Sequence, residues 1–471
     1  MTSHRMFSLV CLVVAACFAS SVTAAGNKYP IILVHGFGGW SREEFGGNKY
    51  WGGFHGDWQE DLKKQGYDVR TAVVGPFSSN WDRACELYAY IKGGTVNYGA
   101  NHAKAHGHNV TGRTFPGLFP EWGTVVNGEL QKVHLIGHSM GGQTARMLAQ
   151  LLEHGTKGAP TQEDPASHPL FEGGKSWVHS ITTIATPNQG TLIGDGLNML
   201  GDAVENFVGA IVGVIQVLGS KSTKFFDAKL DQWNLTPRGK DEDLKKYVTR
   251  VMKSAALHDA GKDLCLYSLS TVGAKEENQW VKTLPDIFYY SITNKDTFRL
   301  LKVELPRIQS MLLPLQPLAT FLGSSYVTKK GFSKDWQQND GAVNTPSMLS
   351  DGQSEVVEGV KESVAGRWHH VGLFSTLDHE AVVGIKLFVN AFDMYASQAR
   401  VLYELPSTQA AGRNLRSGPV SHVHSEEAVR RLTESFETIN RISFENDAAV
   451  ACANPVNDEI KQLCDEHLRT L

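Results

Sequence analysis

The sequence predicts the α/β class, a mostly parallel sheet with helices on both faces. Three observations carry that expectation. Short apolar runs alternate with stretches of helical spacing from residue 30 to residue 152, the pattern of strands joined by crossover helices. One such run, Val133 to Ile136, stops abruptly at Gly137-His138-Ser139-Met140-Gly141. An earlier run, residues 30–34, opens directly into His35-Gly36-Phe37-Gly38-Gly39.

Taken in order, the chain of 471 residues begins with Arg5, an apolar run over 7–18 and the small-residue stretch Val22-Thr23-Ala24. Together these read as a signal peptide over 1–24, so the protein is expected to be secreted and extracellular. No later uninterrupted apolar segment reaches about 18 residues, and no transmembrane segment is expected. A formal net charge of −4 leaves no electrostatic footprint for nucleic acid. Cys85, Cys265, Cys452 and Cys464 follow the leader. The last two are near enough to close a small loop in an oxidising compartment, while Cys85 and Cys265 equally suit buried thiols. Asn109-Val110-Thr111 and Asn234-Leu235-Thr236 are glycosylation sequons, meaningful if the secretory route is eukaryotic.

Residues 30–34 read as a buried strand, 56–65 as a helix, 67–74 as the next strand and 80–91 as another helix. The glycines of the 35–39 loop let the backbone approach a substrate. The N–H of Phe37 suits an oxyanion-hole donor, with the N–H of Met140 as the second. Residues 93–119 are rich in Gly and His, low in apolar periodicity, and read as a long purposeful loop. At the elbow, a strand must turn sharply into a helix with Ser139 at the apex. Gly137 and Gly141 remove side chains that would collide there, which makes Ser139 the candidate nucleophile. A further strand is expected over 178–184. Residues 192–218 are markedly apolar with helical spacing, and their place after a strand end suits a lid over about 190–220. Another strand is expected over 288–292, and the apolar, proline-interrupted 298–326 reads as part of the cap.

Several runs make the reading more specific. Asn48-Lys49-Tyr50-Trp51-Gly52-Gly53, Ser79-Asn80-Trp81-Asp82-Arg83-Ala84, Gly93-Gly94-Thr95-Val96-Asn97-Tyr98-Gly99-Ala100 and Lys229-Leu230-Asp231-Gln232-Trp233 occur in consistent order, together with Gly112-Arg113-Thr114 and Ala185-Thr186-Pro187. Over roughly residues 28–395 the chain resembles the thermoalkaliphilic bacterial and staphylococcal-type triacylglycerol lipases. That resemblance implies an α/β-hydrolase fold, a helical lid, hydrolysis of acylglycerols at an oil–water interface, and a zinc-binding extra subdomain. Gln338-Asn339-Asp340-Gly341 matches the family's catalytic acid, and the order Ser, Asp, His agrees with such folds. Asp378-His379-Glu380 matches the position of the catalytic base. His379 is expected to take the Ser139 proton and Asp340 to orient its imidazole. His369, His370 and Asp378 are the rivals. Positions matching the zinc ligands are Asp82, His102, His108 and Asp231, two imidazoles and two carboxylates suited to a closed structural site.

One departure concerns calcium. The family's carboxylate ligands two and seven residues after the catalytic histidine are here Ala381 and Lys386, so the calcium site is expected to be absent. Beyond the lipase domain expected over 25–396, residues 397–471 form an extension of unknown role. Within it, 398–424 reads as loop and 426–440 as a helix of mixed charge. The resulting expectation is a secreted serine hydrolase of acylglycerols. The competing readings are a carboxylesterase of short soluble esters, an acyltransferase with the same residues, a non-catalytic lipid-binding relative, and a protein whose tail carries the function.

Overall fold

The computed structural model describes residues 26–196, 226–254, 261–407, 419–442 and 447–470, apart from 237, 240, 454, 456 and 457. The expected leader and all of the expected lid beyond Gly196 lie outside the described residues.

Seven strands form one sheet. They are β1 (Ile31–Val34), β2 (Val69–Ala72), β3 (Val133–His138), β4 (Val178–Ile184), β5 (Phe288–Asn294), β6 (Val356–Glu358) and β7 (Trp368–Phe374). Their order across the sheet is β6-β7-β5-β4-β3-β1-β2, and every neighbouring pair is parallel. From β1 the chain steps outward to β2, returns to β3 on the other side, and then builds away from it. The order therefore reverses between β1 and β3, and the carboxyl ends of those two strands flank the crevice where open parallel sheets bind ligands.

Both faces of the sheet are covered, which is why its strands read as nearly continuous apolar runs. Along β1 the side chains alternate between two cores. Ile31 and Leu33 pack with Trp58, Tyr395 and Leu402, whereas Ile32 and Val34 pack with Leu87, Trp122 and Leu148. The first core is walled by helices α1 (Trp58–Lys64) and α4 (Phe392–Glu404), the second by α2 (Asn80–Lys92) and α3 (Met140–His154). Helix starts are set by side-chain caps. Asp57 accepts the Glu60 N–H at α1, and Ser79 accepts the Asp82 N–H at α2.

Three segments differ from expectation. Residues 93–119 are not a plain loop, because Gly94–Asn97 pairs antiparallel with Thr111–Phe115 around the short helix Ala100–His106. Residues 298–326 contain a hairpin of Thr297–Leu300 with Val303–Pro306 and the helix Gln316–Gly323. Residues 398–404 are not loop but the last turns of α4, with Gln398, Ala399, Val401 and Leu402 buried. Helix α5 (Glu426–Asn440) follows, capped by Ser425. Its Ala428, Leu432, Phe436 and Ile439 lie on one stripe, at helical spacing, and join the first core. The Phe436 ring stacks on Phe374 of β7 at 4.3 Å between centroids. Helices α6 (Asp447–Ala453) and α7 (Asp458–Thr470) are joined by the disulfide Cys452–Cys464, and Cys85 and Cys265 are buried thiols.

Candidate active site and metal centre

Ser139 stands at the junction of β3 and α3 with φ 55° and ψ −132°, a left-handed backbone that costs energy for any residue with a Cβ. Packing holds it there. A Cβ on Gly137 would run into the backbone of Gly141, and a Cβ on Gly141 would run into the carbonyl of Val34 in β1. The glycines therefore serve the expected purpose. The loop after β1 presses on the same point, since a Cβ on Gly36 would sit 2.6 Å from Ser139 Cβ. Gly36, the residue before Phe37, and the first turn of α3, which begins at Met140, thus flank the serine, and the first N–H groups of a helix have no partner within it.

His379 Nε2 lies 2.9 Å from Ser139 Oγ, and His379 Nδ1 lies 2.7 Å from Asp340 Oδ2. Asp340 is fully buried in the turn after Asn339, and its Oδ1 accepts the N–H groups of Ala342 and Val343. A carboxylate held this way accepts from Nδ1–H, which leaves the Nε2 lone pair facing the serine hydroxyl. The backbone adds a further tie, because His379 N–H donates to the Asp340 carbonyl at 2.8 Å. Burial opposes the charged imidazolium. The Asp340 carboxylate, by charge and hydrogen bond, and then Glu380 and Asp378 outweigh it, so His379 titrates above the ordinary 6.5. The rivals are engaged elsewhere. Asp378 accepts from the N–H groups of Leu312, Glu380 and Ala381, His369 from Val364, and His370 faces Thr293 and Glu358.

Two residues without a sequence signal of their own complete this arrangement. His138 is fully buried, with Nε2 2.9 Å from the His379 carbonyl and Nδ1 2.6 Å from the Tyr50 hydroxyl. A carbonyl only accepts, so Nε2 carries the proton and Nδ1 accepts from Tyr50. The Tyr50 oxygen in turn accepts the Gly36 N–H at 3.0 Å. One chain of hydrogen bonds thus joins the loop after β1, the elbow and the histidine loop. Burial and the neighbouring His379 hold His138 well below the usual histidine value, in keeping with a neutral ring. The only hint in the sequence is the polar type of the residue before Ser139.

On the far side of α2, four buried side chains converge. Asp82 comes from the first turn of α2, His102 from the helix Ala100–His106, His108 from just beyond it, and Asp263 from the turn at 261–264. His102 Nε2 lies 3.4 Å from Asp82 Oδ1 and 3.2 Å from Asp263 Oδ1, and His108 Nε2 lies 3.2 Å from Asp263 Oδ2. Asp82 Oδ1, His102 Nε2, His108 Nε2 and Asp263 Oδ2 make no hydrogen bond although buried. Orphaned donor atoms of two imidazoles and two carboxylates around one point fit a four-coordinate zinc-type cation. Supporting bonds hold the ligand atoms in place. His108 Nδ1 meets the Asn109 carbonyl at 2.8 Å, Gln232 donates to Asp82 Oδ2, and Ser79 donates to Asp263. Burial disfavours the His102 imidazolium, but Asp263 and Asp82 prevail and raise it to about 10.

Asp231, expected as the fourth ligand, is not there. Its carboxylate pairs with Arg113, while its neighbour Gln232 turns inward and is completely buried. In the tight turn Asp231–Trp233 adjacent side chains point apart, so the right segment reaches the site through the wrong residue for ligation. Asp263 supplies the missing carboxylate from a stretch with no motif around it. Near the histidine loop, Ala381 is buried and Lys386 places Nζ 3.8 Å from Asp296 and 3.9 Å from Asp378. A fixed cation of the chain itself therefore lies between two buried acids.

The model of the family described as "Lipase-like, C-terminal domain" matches residues 27–396. A lipase of Staphylococcus epidermidis is 35% identical over 364 residues, covering 76% of this chain and 50% of that protein, so the chain spans about half the length of the curated relatives it matches. The structure of lipase 1 from Pelosinus fermentans is similar at a TM-score of 0.70 and 43% identity, over 80% of this chain and 99% of that one. That of EstA from Clostridium botulinum gives 0.70 and 40%, over 83% and 90%. Sheet order, elbow and these matches agree on an α/β-hydrolase fold, and the chain belongs to the lipase-like, C-terminal domain family.

Proposed function

We propose that the protein is a secreted triacylglycerol lipase that hydrolyses the ester bonds of acylglycerols through an acyl-enzyme on Ser139. The observation that carries this reading is the continuous line from Ser139 Oγ through the His379 imidazole to the Asp340 carboxylate. Ser139 Oγ attacks the ester carbonyl carbon while its proton passes to His379 Nε2. The negative charge that forms on the carbonyl oxygen is taken by the N–H groups of Phe37 and Met140. His379 returns the proton to the departing glycerol oxygen, and Asp340 stabilises the imidazolium in between. Water then adds to the acyl-serine with His379 as base, releasing the fatty acid and restoring Ser139.

Asp82, His102, His108 and Asp263 would hold a zinc ion, which would supply a structural tie between their segments rather than chemistry on the substrate. The apolar segment 192–218, read from the sequence, suits a lid that opens at an oil–water interface. A leader over 1–24 and a disulfide in the tail support an extracellular protein. No described helix is long and apolar enough to cross a membrane.

The test compares emulsified long-chain triacylglycerol with a soluble short-chain ester, for wild type and Ser139→Ala. Emulsion activity lost in the variant is expected. Activity confined to the soluble ester makes the protein a carboxylesterase. Activity untouched by the substitution overturns the mechanism.

A further inference from the structure

Among the described residues a second group of metal-competent side chains exists, remote from the first. It consists of Glu404 at the end of α4 and His422 and His424 on the short strand Ser421–Val423 and just beyond it. One ligand atom from each lies within 4.8 Å of the others. All three follow residue 396, where the family match ends; Glu404 closes α4, which packs into the hydrolase core, while His422 and His424 lie in the segment beyond it.

His424 is fully buried and makes the argument. Its Nε2 lies 2.9 Å from Ser363 Oγ, and Ser363 is held in turn by the Tyr290 hydroxyl at 2.8 Å from β5. Its Nδ1 lies 3.4 Å from Glu404 Oε2 and makes no hydrogen bond, although water does not reach it. When Nε2–H donates to Ser363, Nδ1 presents a lone pair to a carboxylate. In that tautomer the buried Nδ1 lone pair and the partly exposed Glu404 carboxylate are both turned toward the gap where a cation would be ligated by each. Zinc with bonds of 2.0–2.1 Å in a tetrahedron sets its ligand atoms about 3.3 Å apart, close to the 3.4 Å between His424 Nδ1 and Glu404 Oε2. His422 stands two residues along the same strand, on the same side, with its ring centre 4.7 Å from that of His424. It is half-buried.

Glu404 has other partners that a metal must coexist with. Oε1 accepts the Ser425 hydroxyl and faces Arg400 at 3.6 Å, and Oε2 accepts the Ser425 N–H at 2.9 Å. A carboxylate oxygen has two lone pairs, so Oε2 retains one for a cation. The Ser425 bonds act as supporting contacts that hold the carboxylate in place.

We propose that Glu404, His422 and His424 bind a second divalent cation of the zinc type, which pins the C-terminal extension to the hydrolase domain. The site joins α4 to the strand that leads into α5, and Ser421–Val423 is itself paired with Glu362–Val364 beside the sheet. A cation there holds α5 against β7.

The test uses the full chain, stripped with a chelator and reloaded with zinc alone. Wild type is expected to retain one more equivalent of zinc than His422→Ala, whose half-buried side chain is removed without opening the core. Asp263→Ala, which addresses the first site, is expected to keep the equivalent that His422→Ala loses. With zinc at a hundred times the dissociation constant, local opening of residues 421–440 becomes about 100-fold rarer, read by hydrogen exchange. That protection disappears in His422→Ala. Equal zinc content in wild type and His422→Ala, with unchanged exchange, overturns the proposal.

Discussion

Asp340 acts on the pH dependence as well as on the rate. The neutral imidazole is the base, so kcat/KM rises with pH as His379 loses its proton, and the acid limb of the wild-type profile is expected to centre above 6.5. Asp340→Asn removes the charge that sustains this shift while burial remains, so the limb moves to lower pH. The wrong tautomer is then favoured, and kcat falls on the order of 10⁴-fold. A profile that keeps its midpoint in the variant would place the controlling charge elsewhere. Tyr50 is a positioning residue one step removed. Tyr50→Phe strips a buried N–H and a buried ring nitrogen of their partner, which costs about 1–3 kcal/mol in denaturant unfolding. Because three loops lose their common tie, kcat is expected to drop with little change in KM. An unaltered kcat would reduce the tyrosine to a packing role.

At the level of elements, the candidate metal centre depends on three separate pieces of chain meeting at one point. That explains what the sequence made legible. Asp82, His102 and His108 are reached through the resemblance to the lipase family, which matches them within short contiguous runs; in the structure they lie in the capped first turn of α2, within one short helix and just beyond it. The choice between Asp231 and Asp263 depends on which way a 3₁₀ turn faces and on Arg113 claiming the first of them, and neither is encoded by spacing. The elbow was legible for the opposite reason, since strand, glycines and helix are contiguous. The helical turns at 398–404 were hidden because their polar residues, such as Gln398, find partners only in the folded core, where Gln398 bonds Thr182. Zinc content of two variants separates the carboxylates: Asp263→Ala is expected to lose the ion and Asp231→Ala to keep it. Reloading the stripped protein near pH 8 should also release protons, because His102, raised to about 10 without an ion, must give up its proton to ligate.

For the whole molecule, the extension is not an appendage. Helix α5 contributes Leu432, Phe436 and Ile439 to the same core as Trp58 and Tyr395. Deleting 419–471 therefore uncovers β7 and α4, at about 1.5–3 kcal/mol for each large apolar side chain withdrawn. The shortened protein is expected to melt well below wild type and to aggregate. A fully active, equally stable truncation would show that α5 merely rests on the domain. The sheet also has a consequence for anyone wishing to raise heat tolerance. Because Ile31 and Leu33 look one way and Ile32 and Val34 the other, the sheet works as a partition. A repacking around Leu148 shares no neighbour with one around Tyr395, so improvements made on the two sides should sum, and each can be screened without regard to the other.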